Sequence, residues 1–221
     1  LIIINTPHNP TGAILSAQDM MKLEKLIKDS DTIVLSDEVY EHIIFDGYEH
    51  QSIARFPELA KRSIAVYSFG KTFHNTGWKI GYCVAPENIM QEFRKVHQYN
   101  VFSCNTPIQY ALAEYLQNEE HYLYLSEFYQ KKRDLFNQSL ETSRFRIHPS
   151  AGTYFQLLDY RDISDEKDVD FAVRLTKEYK IASIPVSVFY NKPPEDTFVL
   201  RFCFAKEDET LLKAADILCK I

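Results

Sequence analysis

No run of apolar residues in this chain is longer than a few positions, so no segment reads as a membrane-spanning helix. Positive charge is also in short supply. Lys and Arg number 25 against 31 Asp and Glu, a formal net of −6. That argues against a general affinity for nucleic acid, which needs concentrated positive charge to replace counterions. The four cysteines (Cys83, Cys104, Cys203, Cys219) form no CxxC pair and no metal-like spacing. They read as reduced, mostly packed thiols of a cytoplasmic protein. No repeat and no low-complexity segment is present. An initiator Met and a signal peptide are absent as well. The chain opens on LIIINTPHNP, a strand already under way, and the expectation is the later part of a longer protein.

What is present is globular in character: 221 residues, 45% hydrophobic and 14% aromatic. Residues 1–5 form an apolar strand that runs into the turn string PHNPTG. Ser16 opens a capping-box-like SAQD, and Met20, Leu23 and Ile27 follow at helical spacing. TIVLSDE (32–38), IAVYSF (64–69) and IGYCVA (80–85) read as further strands, with Pro86 closing the last. Short apolar strands joined by a helix predict parallel strands buried on both faces. A long helical region is expected over about 107–142. Strands follow near 145–148 and 153–159, then a helix over 168–179, a strand over 198–204, and a terminal helix from about 207. The fold class is α/β followed by a smaller α+β module.

Ligands of parallel sheets bind at the carboxyl ends of the strands. Three strands deliver polar residues there: Asn9 after the first, Asp37 with Tyr40 after the second, Ser68 with Lys71 after the third. Each has an ordinary reading. NPTG is a common turn string, Asp37 could cap a helix beginning DEVYEHI, Tyr40 could be half-buried packing, and Lys71 a solvated lysine. Arg201, within VLRFCF, is harder to explain that way, because a guanidinium in an apolar strand needs a partner.

Two enzyme chemistries compete for Ser68-Phe69-Gly70-Lys71. The SxxK motif of serine β-lactamases would make Ser68 a nucleophile at a helix start, followed by SDN and then KTG. Here SDE (36–38) precedes the motif, KTF overlaps it, and the residues before Ser68 form a strand. The alternative makes Lys71 a Schiff-base lysine holding pyridoxal phosphate. That chemistry needs an acid at the pyridine nitrogen, donors to the phenolic oxygen, cations and hydroxyls for the phosphate, and a clamp for the substrate carboxylate. Candidates for every part are present in a consistent order.

The segments NTPHNPTG (5–12), SDEVY (36–40), SFGKTFHNTGWKIGY (68–82) and RFCFA (201–205) resemble the class I and II aminotransferases of pyridoxal-phosphate fold type I. VHQYNVFSCNTP (96–107) makes the likeness strongest to the methionine and kynurenine (glutamine-type) transaminases. The resemblance implies the later part of a large, mostly parallel-sheet domain over 1–106, a connecting helical region over 107–145, and a small α+β domain over 146–221. It implies pyridoxal 5'-phosphate as cofactor, Lys71 as nucleophile and proton shuttle, and Asp37 beneath the pyridine nitrogen. It further implies Tyr40 and Asn9 as donors to the phenolic oxygen, Ser68 and Lys79 on the phosphate, and Arg201 on the substrate α-carboxylate. Most relatives carry Arg where this chain has Lys79, which keeps the charge and loses the planar fork. No metal, nucleic acid or membrane partner is implied. The partners are a neutral amino acid and a 2-oxo acid, in a homodimer with shared active sites. A C–S lyase of the same fold, and the aminotransferase-like effector domain of a transcription regulator, are the alternatives. The family's glycine-rich phosphate turn and ring-stacking aromatic have no counterpart here, so residues 1–221 alone are expected to be poorly soluble and inactive.

Overall fold

The computed structural model describes all 221 residues and divides them into two compact units. The first comprises Leu1–Pro7 and Ile14–Ser126; the second comprises His8–Ala13 and Glu127–Ile221.

In the first unit, β1 (Ile2–Asn5) leads through α1 (Ala17–Ile27) to β2 (Val34–Asp37). Ser16 starts α1 as sequence predicts. Its hydroxyl accepts from the Asp19 amide at 3.2 Å while the Asp19 carboxylate accepts from the Ser16 amide at 3.1 Å, a closed capping box. A 3-10 turn over Ile53–Arg55 and the single-turn α2 (Pro57–Ala60) connect β2 to β3 (Ser63–Ser68). The single-turn α3 (Phe69–Thr72) then leads to β4 (Gly81–Val84). The sheet order is β1-β2-β3-β4. The first three strands are parallel, with Asn5 opposite Asp37 and Asp37 opposite Val66. β4 departs from the parallel expectation and runs antiparallel to β3, with Ser68 opposite Gly81. Only the single-turn α3 and a 3-10 turn lie between the two strands, too little helix to carry the chain back across the sheet, and the short connection favours a reversal.

Burial on both faces is not observed either. β3 alternates buried and half-buried residues, while the outer strand β4 is mostly exposed. The core of the unit lies where Met20 and Ile27 of α1 meet Val34, Ala65 and Tyr67 of the sheet, closed by Ile53 and Leu59. β4 is followed by α4 (Glu87–Asn100), a helix not among those expected from sequence. Ile89, Met90, Phe93 and Val96 do recur on it at helical spacing, yet none of its residues is buried. The helical region beyond Pro107 is three helices: α5 (Thr106–Tyr115), α6 (Glu120–Leu123) and α7 (Leu125–Ser139). The break falls where the Asn118 side chain accepts from the Glu120 amide at 3.1 Å, restarting the chain in a new direction.

The second unit takes most of α7 and adds β5 (Arg146–His148), β6 (Phe155–Asp159), α8 (Asp168–Arg174), β7 (Ile184–Pro185), β8 (Val199–Cys203) and α9 (Asp208–Leu218). Its sheet is antiparallel, in the order β5-β6-β8-β7. The helix expected over 168–179 forms over those residues. From Leu175 to Tyr179 it widens to π geometry, and Lys180 stops it in the left-handed region at φ 61°. The two-residue β7 has no sequence signature and simply adds an edge to β8. Aromatics fill this core, with the rings of Tyr160 and Phe171 stacked at 4.3 Å. No helix of the chain is long and apolar enough to cross a membrane.

Candidate active site

Asp37 is the last residue of β2 and is half-buried. The helix that it could have capped does not form. Residues after it make turns, and the Asp37 Oδ1 accepts only from the Val39 amide, at 3.3 Å. Its backbone carbonyl is held from β1, where the Asn5 side-chain amide donates to it at 2.9 Å. Burial raises the Asp37 pKa above the usual carboxylate range; the Val39 amide and the cation of Lys71 oppose that shift. A carboxylate destabilised in this way gains from any further positive charge placed against it.

Ser68 closes β3 in extended conformation and at the same time precedes the first turn of α3. The strand before it therefore does not keep it from a helix start, and the order of the neighbouring motifs is what separates this site from the SxxK enzymes. Lys71 lies in that turn. Its Nζ stands 5.9 Å from the centroid of the Tyr40 ring, and Tyr40 is buried. The turn is tight at its base. A Cβ on Gly70 would come within 3.0 Å of the Thr76 Cα, so the chain returning from α3 passes directly over this glycine. Lys79 follows a 3-10 turn over Thr76–Trp78, is exposed, and sits in the left-handed region at φ 54° and ψ 46°. The structure thus groups Asp37, Tyr40, Ser68 and Lys71 at the carboxyl ends of β2 and β3, with Lys79 on the loop between β3 and β4.

Asn9 and Arg201 meet in the second unit. The Arg201 Nη1 donates to Asn9 Oδ1 at 2.6 Å. The guanidinium carbon lies 4.0 Å from the Phe155 ring centroid and 5.4 Å from that of Phe189. These contacts answer the demand for a partner that a guanidinium on β8 makes: one polar acceptor, and two aromatic faces that orient the plane. Asn9 itself lies in a turn that Gly12 closes, donating its amide to the His8 carbonyl at 2.7 Å with φ 69°.

One cluster has no counterpart in the sequence reading. Glu38, next to Asp37, is fully buried. Its Oε1 accepts from the Ser36 hydroxyl at 2.7 Å and the Ile53 amide at 2.9 Å. Its Oε2 accepts from the Tyr67 hydroxyl at 3.0 Å and lies 2.8 Å from His50 Nε2. Burial alone would raise the Glu38 pKa, but the hydrogen bonds from His50, Ile53 and Ser36 hold it below the usual value. The one local signal was Ser36, two positions earlier on the same face of the strand. Nearby, burial pushes the Glu41 carboxyl up to about 7, and the Tyr82 hydroxyl donates to it at 3.4 Å. Tyr82 in turn stacks on Tyr67 at 4.7 Å.

The whole chain carries the same likeness. It matches the family described as aminotransferase class I and II over residues 1–218. It is 50% identical to the methionine aminotransferase of Escherichia coli (strain K12), with 99% of this chain aligned to 56% of that protein. It is 38% identical to the kynurenine–oxoglutarate transaminase of Dictyostelium discoideum, over 100% of this chain and 56% of the relative. An E. coli crystal structure reported to identify a methionine aminotransferase function superposes with a TM-score of 0.96 at 49% identity. That alignment covers 99% of this chain and 58% of the other. The chain therefore spans little more than half the length of the relatives that it matches. Its fold is that of fold type I. With a lysine on the turn after β3, an acid at the end of β2, and family identity running from end to end, this chain belongs to the class I and II aminotransferases.

Proposed function

We propose that this chain is the lysine-bearing part of a pyridoxal-phosphate-dependent aminotransferase. The whole protein would move an amino group from a neutral L-amino acid, methionine-like or aromatic, to a 2-oxo acid. The family depends on pyridoxal phosphate. One observation carries the reading: Lys71 emerges beside the buried Tyr40 at the strand ends that also hold Asp37 and Ser68. The donor set fits the cofactor, since Asp37 is a half-buried acid whose ionised form burial disfavours, so that a cation placed against it is favoured. When bound, the cofactor supplies a ring that accepts electrons from the substrate α-carbon.

The chain's own residues do the rest. Asp37 holds a proton on the ring nitrogen. Tyr40 and Asn9 would each serve as a donor to the phenolic oxygen. Ser68 and Lys79 hold the phosphate. Lys71 would hold the cofactor through its amine and, when that amine is free, would take the proton from the substrate α-carbon onto Nζ. Arg201 pairs with the substrate α-carboxylate through two parallel N–H donors. The substrate class rests on the names of the relatives, a methionine aminotransferase and a kynurenine–oxoglutarate transaminase. A cytoplasmic homodimer with shared sites is part of the same reading.

The test is a donor-by-acceptor screen on the full-length protein, with ammonia and thiol release followed in parallel. Amino transfer without ammonia or thiol supports transamination over elimination. Lys71→Ala should lose several orders of magnitude in turnover, because covalent capture and proton transfer vanish together. Near-normal turnover in that variant would sink the reading.

A further inference from the structure

Glu38 is the most deeply buried charge beside the proposed site, and no role in the reaction accounts for it. Four groups donate to it: a hydroxyl on the strand just before it (Ser36), an amide of the following 3-10 turn (Ile53), an imidazole (His50), and a phenol on β3 (Tyr67). Its own amide donates to the Val66 carbonyl at 2.9 Å. Two of these bonds cross from β2 to β3, one through backbone and one through the Tyr67 hydroxyl. Asp37 is the residue before the first anchor; Ser68 is the residue after the second. The spacing between the acid at the end of β2 and the lysine turn after β3 is therefore set through Glu38.

The carboxylate also matters as a charge. The donor atoms of Ser36, Ile53 and Tyr67 are neutral groups. His50 meets the carboxylate through Nε2, and its Nδ1 is buried without a hydrogen-bond partner. The Glu38 charge, held on three of its four sides by uncharged donors, reaches Asp37 next to it. The charged or titratable groups within its field are Asp37, Glu41, His50, Tyr67 and Tyr82, and Lys71 acts in turn on Asp37.

We propose that Glu38 is a positioning residue for the site: its carboxylate braces the end of β2 that carries Asp37 against the end of β3 that carries Ser68 and Lys71, and lends a second fixed negative charge behind Asp37. The inference rests on the cofactor reading above. A group that must stay cationic next to Asp37 is then stabilised twice, once by Asp37 in contact and once by Glu38 through the protein interior.

The test uses the full-length protein loaded with pyridoxal phosphate and free of substrate. Its readouts are the pH midpoint of the bound cofactor's visible absorbance, the cofactor dissociation constant, and the melting temperature. Glu38→Gln keeps the shape and removes the charge, so the midpoint should fall by about 0.5–1 pH unit. Glu38→Asp keeps the charge and should leave the midpoint near that of the parent. Tyr67→Phe keeps the charge and cuts one brace. It should weaken cofactor binding by about 3–10-fold with an unshifted midpoint. A purely structural Glu38 would lower the melting temperature of Glu38→Gln and leave its midpoint in place, and that result overturns the proposal. If Glu38→Gln does not fold, unchanged cofactor affinity in Tyr67→Phe overturns it. Failure of the unmodified protein to bind pyridoxal phosphate at all would overturn the cofactor reading itself, and this proposal with it.

Discussion

Arg201 and Asn9 are 192 residues apart in sequence and share a 2.6 Å hydrogen bond from a guanidinium nitrogen to an amide oxygen. The same guanidinium lies flat enough on Phe155 for a 4.0 Å approach to the ring centroid. Lysine could reproduce neither a planar fork nor a face-on contact of this kind. Arg201→Lys should therefore raise the substrate KM by roughly 10-fold or more, with a smaller change in kcat. If the arginine serves stability alone, the melting temperature falls and KM stays put. Both are measured on one preparation.

Asp37→Asn keeps the size of the side chain and its bond from Val39. The amide cannot supply the negative charge that holds a proton on the cofactor nitrogen. The variant should still bind the cofactor while losing most of its turnover, a loss on the order of 100-fold or more. Cofactor retention read by absorbance, together with steady-state rates, checks it. Full activity would remove Asp37 from the mechanism.

Glu41 gives a pH signature that does not depend on the reaction. Burial moves its carboxyl up from an ordinary 4.5 to about 7. The folded state therefore binds this proton more tightly than the unfolded chain does. Its stabilising contribution is complete below the ordinary value and is lost as pH rises through about 7. His42, whose pKa burial lowers, pulls the other way in an overlapping range. The comparison that isolates Glu41 is the difference in melting temperature between the parent and Glu41→Gln from pH 5 to pH 8. That difference should move in favour of the glutamine variant as pH rises. A flat difference would show that Glu41 titrates normally.

Gly81 offers a steric test of the register between β3 and β4. A Cβ there would sit 2.4 Å from the Tyr67 carbonyl oxygen, a backbone atom that cannot swing aside. Gly81→Ala should destabilise the protein by about 1–3 kcal/mol, visible in a denaturant melt. It should also weaken cofactor binding, because Tyr67 and Ser68 must shift together. A neutral substitution would mean that the strand ends relax more freely than the structure shows.

Local signals in the sequence carried local structure well. The Ser16–Asp19 capping box and the apolar spacing of Met20, Leu23 and Ile27 are contained within one helix, and the helix starts where they say. The strand ends bearing Asp37 and Ser68 were legible for the same reason. Features made by distant partners were not. Nothing near Glu38 announces His50, Ile53 or Tyr67, so a fully buried carboxylate passed as the second letter of an acidic pair. α4 is missed although Ile89, Met90, Phe93 and Val96 stand at helical spacing, a pattern that here marks an apolar stripe left unburied. Strand direction is invisible to composition, and β4 reversed it. Arg201 announced that it needed company, but only the fold could supply Asn9 and two aromatic rings.

The reversal at β4 has a consequence for how such proteins can vary. Because Ser68 faces Gly81 across an antiparallel ladder, the loop that leaves β3 comes back to the level at which it left. Lys71 and Lys79 both ride on that excursion. They form a cassette, closed at its base by one pair of residues and packed on the strand below through Phe69 against Tyr82. A chimaera that exchanges residues 69–80 for those of a relative with arginine at the second position would transplant both cations at once. The two lysines are inherited as one piece of chain.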